Sequence, residues 1–183
     1  IDYDVDIREY IPEFPYEGVT TRLLLNHRSG LSRYESLADA KWPDRKVPFL
    51  NEDMIDFYVK HKPDPYFKPD GGFNYSNVNY ALLASVIERV SGMPFADYMD
   101  SRIFKPLGMN DSYIYEMRDD TLVSLYIENV IQGYYMDRRR PMQAPNEYLN
   151  GVKGDKMMMS NTEDMFKFMT AVDYGLLLPD SIQ

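Results

Sequence analysis

Pro69-Asp70-Gly71-Gly72-Phe73-Asn74-Tyr75-Ser76-Asn77 runs without a break into Val78-Asn79-Tyr80-Ala81-Leu82-Leu83-Ala84. The first half is a loop: a proline, then two glycines that let the backbone turn tightly. The second half is a helix, with Val78, Leu82, Val86 and Val90 on one face and Leu83 and Ile87 widening it. A face that wide implies burial on several sides. Gly92 and Pro94 close the helix. Tyr75 and Asn77 therefore stand at a helix mouth. Asn74, Ser76 or Asn77 can serve there as caps. The alternative is chemistry. A tyrosine ordinarily titrates near pH ~10 and is a poor base. A lysine beside it stabilises the phenolate, and a serine within reach can then give up its proton. The carboxamide of Asn77 can both donate to and accept from a substrate amide.

The remaining composition narrows the classes. The chain has 183 residues, 44% of them hydrophobic, which suits one domain with a real core. Basic residues number 20 against 29 acidic, a net charge of −9, so no nucleic-acid footprint is expected. The one basic run, Arg138-Arg139-Arg140, is followed by a proline and reads as a solvated turn. The absence of cysteine excludes disulfides, thiolate zinc sites and a cysteine nucleophile. His27 and His61 alone cannot make a typical zinc site. No stretch approaches the roughly 20 apolar residues of a membrane span.

Along the chain, Thr20 or Thr21 caps a short helix through Leu23-Leu24-Leu25, and Gly30 ends that region. Asn51 is expected to cap a helix whose first turn holds Glu52 and Asp53, with Met54, Phe57 and Tyr58 as its stripe. Lys60-His61-Lys62 complements its C-terminus and Pro63 stops it. Pro94 opens another helix, with Phe95, Tyr98 and Met99 inward, ending before Pro106. Short strands are expected within residues 111–136, with 121–131 ambiguous. Ser160-Asn161-Thr162-Glu163 has capping-box spacing and should open a helix striped by Met165, Phe166, Phe168, Met169 and Val172. Methionine and aromatic side chains are expected to fill the core. Pro179, Asp180 and Ser181 are helix-start residues with almost no chain after them, which predicts a helix cut short.

Ordered segments then carry a resemblance. Val19-Thr20-Thr21-Arg22-Leu23-Leu24-Leu25-Asn26-His27-Arg28-Ser29-Gly30-Leu31 resembles the T-x-x-x-L-L-x-H-x-S-G-L stretch of the serine β-lactamase-related family, which includes class C β-lactamases, DD-peptidases and related esterases. Residues 69–77 are similar to its P-G-x-x-F-x-Y-S-N segment. Residues 80–92, Phe95 and Ile103-Phe104-Lys105-Pro106-Leu107-Gly108-Met109 continue the likeness in order. Gly133-Tyr134 resembles a later G-Y pair. Gly154-Asp155-Lys156 and residues 160–165 resemble G-D-x-G-x-x-S-T-x-E-D-L. The likeness spans nearly all of the chain. It implies that Tyr75 is catalytic, activating a serine and protonating the leaving group, and that Asn77 is substrate-binding. It gives His27 and Ser29 a structural role, in helix termination and loop hydrogen bonds.

The departures are as informative. The family nucleophile is the serine of S-x-x-K, and no serine of this sequence has a lysine three residues on. Neither K-T-G nor H-x-G is present; Lys153-Gly154 lacks the middle residue. Met157-Met158-Met159 replaces the glycine and small or aromatic residue usual in the family. The expectation is one truncated domain over residues 1–183, mainly α with a minor β component. It would be the helical subdomain of the serine β-lactamase/penicillin-binding-protein fold, lacking the α/β sheet half. By itself it should be inert. The resemblance implies a serine hydrolase acting on a β-lactam, a D-Ala-D-Ala peptide, or a small ester or amide. It needs no metal or organic cofactor and has a periplasmic or extracellular location. Oligomeric state is not legible. The rival is a non-catalytic helical module that binds cell-wall peptide or a protein partner.

Overall fold

The structure is a computed structural model and describes residues 1–117, 131, 133–144 and 147–177. A 3-10 turn, Ile7–Glu9, is pinned by Asp6, whose carboxylate accepts from the Arg8 N–H. Helix α1 is Thr21–Leu25, and the Thr20 hydroxyl caps it by accepting from Leu23 N–H at 3.3 Å. Helix α2 is Tyr34–Lys41 and α3 is Asn51–His61. Lys62 follows α3 in the left-handed region at φ 43, just before Pro63. Helix α4, Asn77–Ser91, is closed by Gly92 at φ 68. Helix α5, Phe95–Met99, begins directly after Pro94 and continues into a wider π turn, Asp100–Phe104.

Two small antiparallel sheets follow. Strand β1, Tyr113–Ile114, pairs with β4, Met158–Met159. Strands β2, Tyr134–Asp137, and β3, Arg140–Gln143, form a hairpin. Its turn is Arg138-Arg139, both residues at positive φ (43 and 73), a two-residue primed turn that matches strand twist. A 3-10 turn spans Tyr148–Gly151, and α6 is Thr162–Asp173.

The structure corrects the expected class. Helices cover fewer than half of the residues, long irregular segments separate them, and the strands form two separate two-stranded sheets. A mainly α subdomain is therefore not the right description. The physical reason is the spacing of breakers: the prolines and glycines of residues 62–76 and 104–112 leave stretches that no helix can cross.

Two hydrophobic clusters hold the described residues together. The larger joins Ile7, Ile11, Phe14, Leu24, Leu31, Tyr34, Phe49, Met54, Tyr58, Val78 and Leu82, so α4 packs against the N-terminal segment and α2–α3. The smaller joins Ala84, Phe95, Phe104, Met109 and Ile114 on the other side of α4. Helix α4 is thus buried on several sides, as its apolar width requires, although Val90 at its end is 50% exposed.

Three local expectations shift. Asn51 does not cap α3. Leu50 stands at the cap, where its N–H donates to Asp53 at 2.9 Å, and Asn51 is buried in the first turn. The cap of α6 is Asn161, accepting from Asp164 N–H at 2.9 Å, because Ser160 instead pairs with the Ser112 hydroxyl. The methionines are largely superficial: Met54 and Met109 are buried, but Met136, Met142, Met158, Met165 and Met169 are exposed, as is Phe166. The truncated helix start at Pro179 and the ambiguous segment up to residue 130 lie outside the described residues.

Candidate active site

The loop that carries Tyr75 is braced before it reaches α4. After α1 the chain turns at His27, in the left-handed region at φ 54. From His27 to Gly30 it lies alongside residues 66–76. Tyr66 N–H donates to Gly30 O at 2.8 Å, Asp70 N–H to Arg28 O at 2.9 Å, and Asn74 N–H to His27 O at 2.9 Å. Gly30, at φ 76, allows an approach no side chain would tolerate: a Cβ there would sit 2.0 Å from Phe67 O.

His27 then ties the loop to the helix. Its Nδ1 accepts from Ser76 N–H at 3.3 Å and lies 3.2 Å from the Asn79 amide nitrogen. Asn79 Oδ1 accepts the Ser29 hydroxyl at 2.6 Å, which leaves its NH2 group for the imidazole. Two donors at Nδ1 place the ring proton on Nε2. Ser29 also accepts from Leu31 N–H at 3.3 Å. His27 and Ser29 are therefore structural here, as hydrogen-bonding members of a loop. The His27 ring also packs against Phe73, Tyr75 and Tyr80, with centroids 6.1, 4.5 and 5.2 Å away.

Ser76 is extended, at φ −147 and ψ 127, so its two neighbours project to the opposite side from its own side chain. Ser76 is 2% exposed and faces inward. Tyr75, 59% exposed, and the half-buried Asn77 share the outer side. The structure thus brings together the two residues singled out by the sequence. Asn77 is already engaged: its NH2 group donates to Glu35 Oε1 at 2.7 Å.

Glu35 belongs to a polar cluster that sequence reasoning missed. Next to it, Tyr34 donates to Asp155 Oδ2 at 2.7 Å, and Lys156 Nζ donates to Tyr34 Oη at 2.7 Å. Lys156 also lies 3.5 Å from Asp155. Burial, reinforced by the Asp155 charge, raises the Tyr34 phenol well above its ordinary range. Burial also raises Asp155, although Lys156 and the Tyr34 hydroxyl act against it. Only the G-D pair of residues 154–155 hinted at this cluster, since its members are 121 residues apart in sequence. Lys153, in the same segment, is paired with Glu116.

A cleft of about 1090 Å³ lies elsewhere among the described residues. It is lined by Tyr113, Met158, Met159, Asn161 and Met165 among others, and by neither Tyr75 nor Asn77. No helix among the described residues is long and apolar enough to cross a membrane. No group of three or more acidic or histidine side chains among them could hold a metal ion.

The loop-to-helix junction presents a tyrosine and an asparagine on the side opposite a buried serine. The chain belongs to the Beta-lactamase family, whose pattern it matches over residues 1–183. It is 37% identical over 181 residues to a penicillin-binding protein of Bacillus subtilis, a match that covers 94% of this chain and 39% of that protein. Among solved structures it is similar to a D-stereospecific amidohydrolase from Streptomyces, with a TM-score of 0.79 and 26% identity, covering 99% of this chain and 56% of the other. A D-amino acid amidase from Ochrobactrum anthropi gives a TM-score of 0.79 and 29% identity, covering 99% and 50%. The chain therefore spans about half the length of these structures, and less of the curated relative. These likenesses complete the correction of the fold class: the chain follows one part of a whole penicillin-binding/β-lactamase fold, mixed helix and small sheets together, rather than a separate helical class.

Proposed function

We propose that the protein containing this chain is a serine hydrolase of the penicillin-binding type, with Tyr75 as its proton-transfer residue and Asn77 as a contact to the substrate acyl group. The observation that supports this best is the shared outward placement of Tyr75 and Asn77 on a loop clamped by His27. In this reading a serine and lysine of the S-x-x-K type stand beside Tyr75. The lysine stabilises the phenolate, the phenolate takes the serine proton, and the same proton passes to the leaving nitrogen or oxygen. The substrate is a small amide, ester, β-lactam or D-amino acid peptide. The names of the amidohydrolase and amidase relatives favour an amide. The location is periplasmic or extracellular, where such substrates are met.

The S-x-x-K serine and lysine are absent from these 183 residues, so the chain alone is inert. Incubation of the chain and of the full-length protein with a labelled penicillin tests both claims. The expected result is covalent label on the full-length protein at a serine outside this chain. Label on the 183-residue chain itself, or on neither protein, sinks the reading.

A further inference from the structure

Arg138-Arg139-Arg140 is the one run of three consecutive cations in a chain of net charge −9. It forms the tip of the β2–β3 hairpin. Arg138 and Arg139 are the two central residues of the turn, at φ 43 and 73, and Arg140 opens β3 opposite Asp137. A turn of this kind favours Asn-Gly, because both central residues must be left-handed. An arginine is strained at either position. The tip therefore carries two charges against the preference of its own backbone. All three arginines are exposed, and none is ion-paired among the described residues. The strands behind the tip are open as well. Tyr134 pairs with Gln143, Tyr135 with Met142 and Met136 with Pro141. Side chains alternate along a strand, so Tyr134, Met136 and Pro141 share one face, while Tyr135 and Met142 share the other with Asp137 and Arg140. The two tyrosines and two methionines are 45% to 67% exposed, and none belongs to either hydrophobic cluster. A two-stranded hairpin is marginal in water by itself, so a surface that accepts these side chains adds to its stability.

We propose that this hairpin is a contact element for an anionic membrane surface. The guanidinium groups meet lipid phosphates, and the uncharged face of Tyr134, Met136 and Pro141 settles into the interfacial layer. Both halves of the observation select this occupant. A soluble polyanion takes the arginines but leaves the tyrosines and methionines in water. An apolar groove takes the strands but leaves three charges unpaired. A lipid interface offers phosphate and apolar chain within a few ångströms of each other, and tyrosine, with an apolar ring and a polar tip, suits that boundary. The acidic remainder of the chain is repelled by the same surface, which turns the hairpin toward it. The inference stands apart from the hydrolase reading.

The test is flotation of the full-length protein with vesicles of phosphatidylglycerol or of phosphatidylcholine. At low salt the protein should float with the anionic vesicles only, and it should come off as salt rises and screens the attraction. Arg138→Asn combined with Arg139→Gly removes two charges and relaxes the turn. Binding to phosphatidylglycerol should then weaken roughly thirtyfold, while the melting temperature stays equal or rises. A loss of binding in that variant is thus not a loss of fold. Tyr134→Ser combined with Met136→Ser should also weaken binding severalfold, since attachment scales with the apolar area buried. Equal binding to both vesicles, binding to neither, or undiminished binding by the Asn-Gly variant overturns the proposal. Undiminished binding by the Tyr134 and Met136 variant overturns it too, because the site would then serve soluble polyanions rather than a membrane.

Discussion

The imidazole of His27 and the phenol ring of Tyr75 lie with their centroids 4.5 Å apart and their planes inclined at 44°. The imidazole is itself held by the Ser76 N–H and the Asn79 amide. Tyr75 is thus mostly exposed yet rests on a fixed platform. That arrangement limits the orientations the hydroxyl can sample before substrate arrives.

Tyr75→Phe keeps the ring on that platform and removes only the hydroxyl. Stability of the chain should stay within about 0.5 kcal/mol in urea denaturation, as for an exposed substitution. In the full-length protein kcat should fall about 10²- to 10⁴-fold, the usual worth of a proton-transfer group. Unchanged turnover would remove Tyr75 from the chemistry.

His27→Ala should behave differently. It strips the acceptor from Ser76 N–H and Asn79, groups that are buried or partly buried, at a cost of about 1–3 kcal/mol. Thermal unfolding should register that loss, and activity should fall together with it. An activity loss at full stability would give the imidazole a direct part in the reaction.

Asn51 links three elements. Its amide nitrogen donates to Ala81 O and Lys153 O, both at 3.0 Å, and its Oδ1 accepts from Lys153 N–H at 2.8 Å. Asn51→Ala removes both bonds to Lys153, while Ala81 O keeps the Ser85 hydroxyl, and should cost about 1–3 kcal/mol. A cap at an exposed helix end would cost nearer ~1 kcal/mol. Urea denaturation of the chain separates the two only if the loss falls clearly above that lower figure.

Gly154 sits at φ 100, and a Cβ there would lie 2.4 Å from Tyr80 O. Gly154→Ala is therefore strained both in its backbone and in its contact with α4. A loss of at least about 1–3 kcal/mol is expected from the backbone conformation alone. A melting temperature equal to that of the unmodified chain would contradict the close approach.

Asp164 contributes to the acid limb of stability. Burial would raise its pKa, but hydrogen bonds from Lys167, Asp111 N–H and Ser112 outweigh that and hold it below the usual carboxylate value. The folded state thus releases this proton more readily than the unfolded state. Its contribution is present above the unfolded value of 3.8 and is lost as pH falls through the lower folded value. Asp155 has the opposite sign, since its folded value is raised. The stability difference between the unmodified chain and Asp164→Asn should hold down to about pH 5 and then shrink as pH falls below 3.8 and through the lower folded value. A difference independent of pH would refute the assignment.

Much of this was legible locally. The Thr20 cap, the stop at Lys62 and Pro63, the span and closure of α4, and the Pro94 start of α5 follow from chemistry within a few residues. The hairpin turn at Arg138-Arg139 was readable as a solvated turn, though not as two left-handed residues. At position 70 the family segment P-G-x-x-F has glycine where this chain has aspartate. Asp70 indeed adopts φ 64, a conformation that aspartate tolerates better than most residues. What misled was chemistry that serves two ends equally well. Asn51 and Ser160 have cap-forming side chains, but each was claimed by a partner far away in sequence.

By itself the sequence carried the resemblance to the family in its ordered motifs, and it set the helix at Asn77–Ser91 with Tyr75 and Asn77 at its mouth, because the helix depends on periodicity and neighbours along the chain. The tertiary structure alone decided which groups His27 holds, that Asn77 bonds to Glu35, and that Met136, Met142, Met158, Met165 and Met169 are exposed. Those outcomes depend on which side chains meet across 30 to 120 residues of intervening chain. Hydrogen bonds and burial act over a few ångströms in space and are indifferent to distance in sequence.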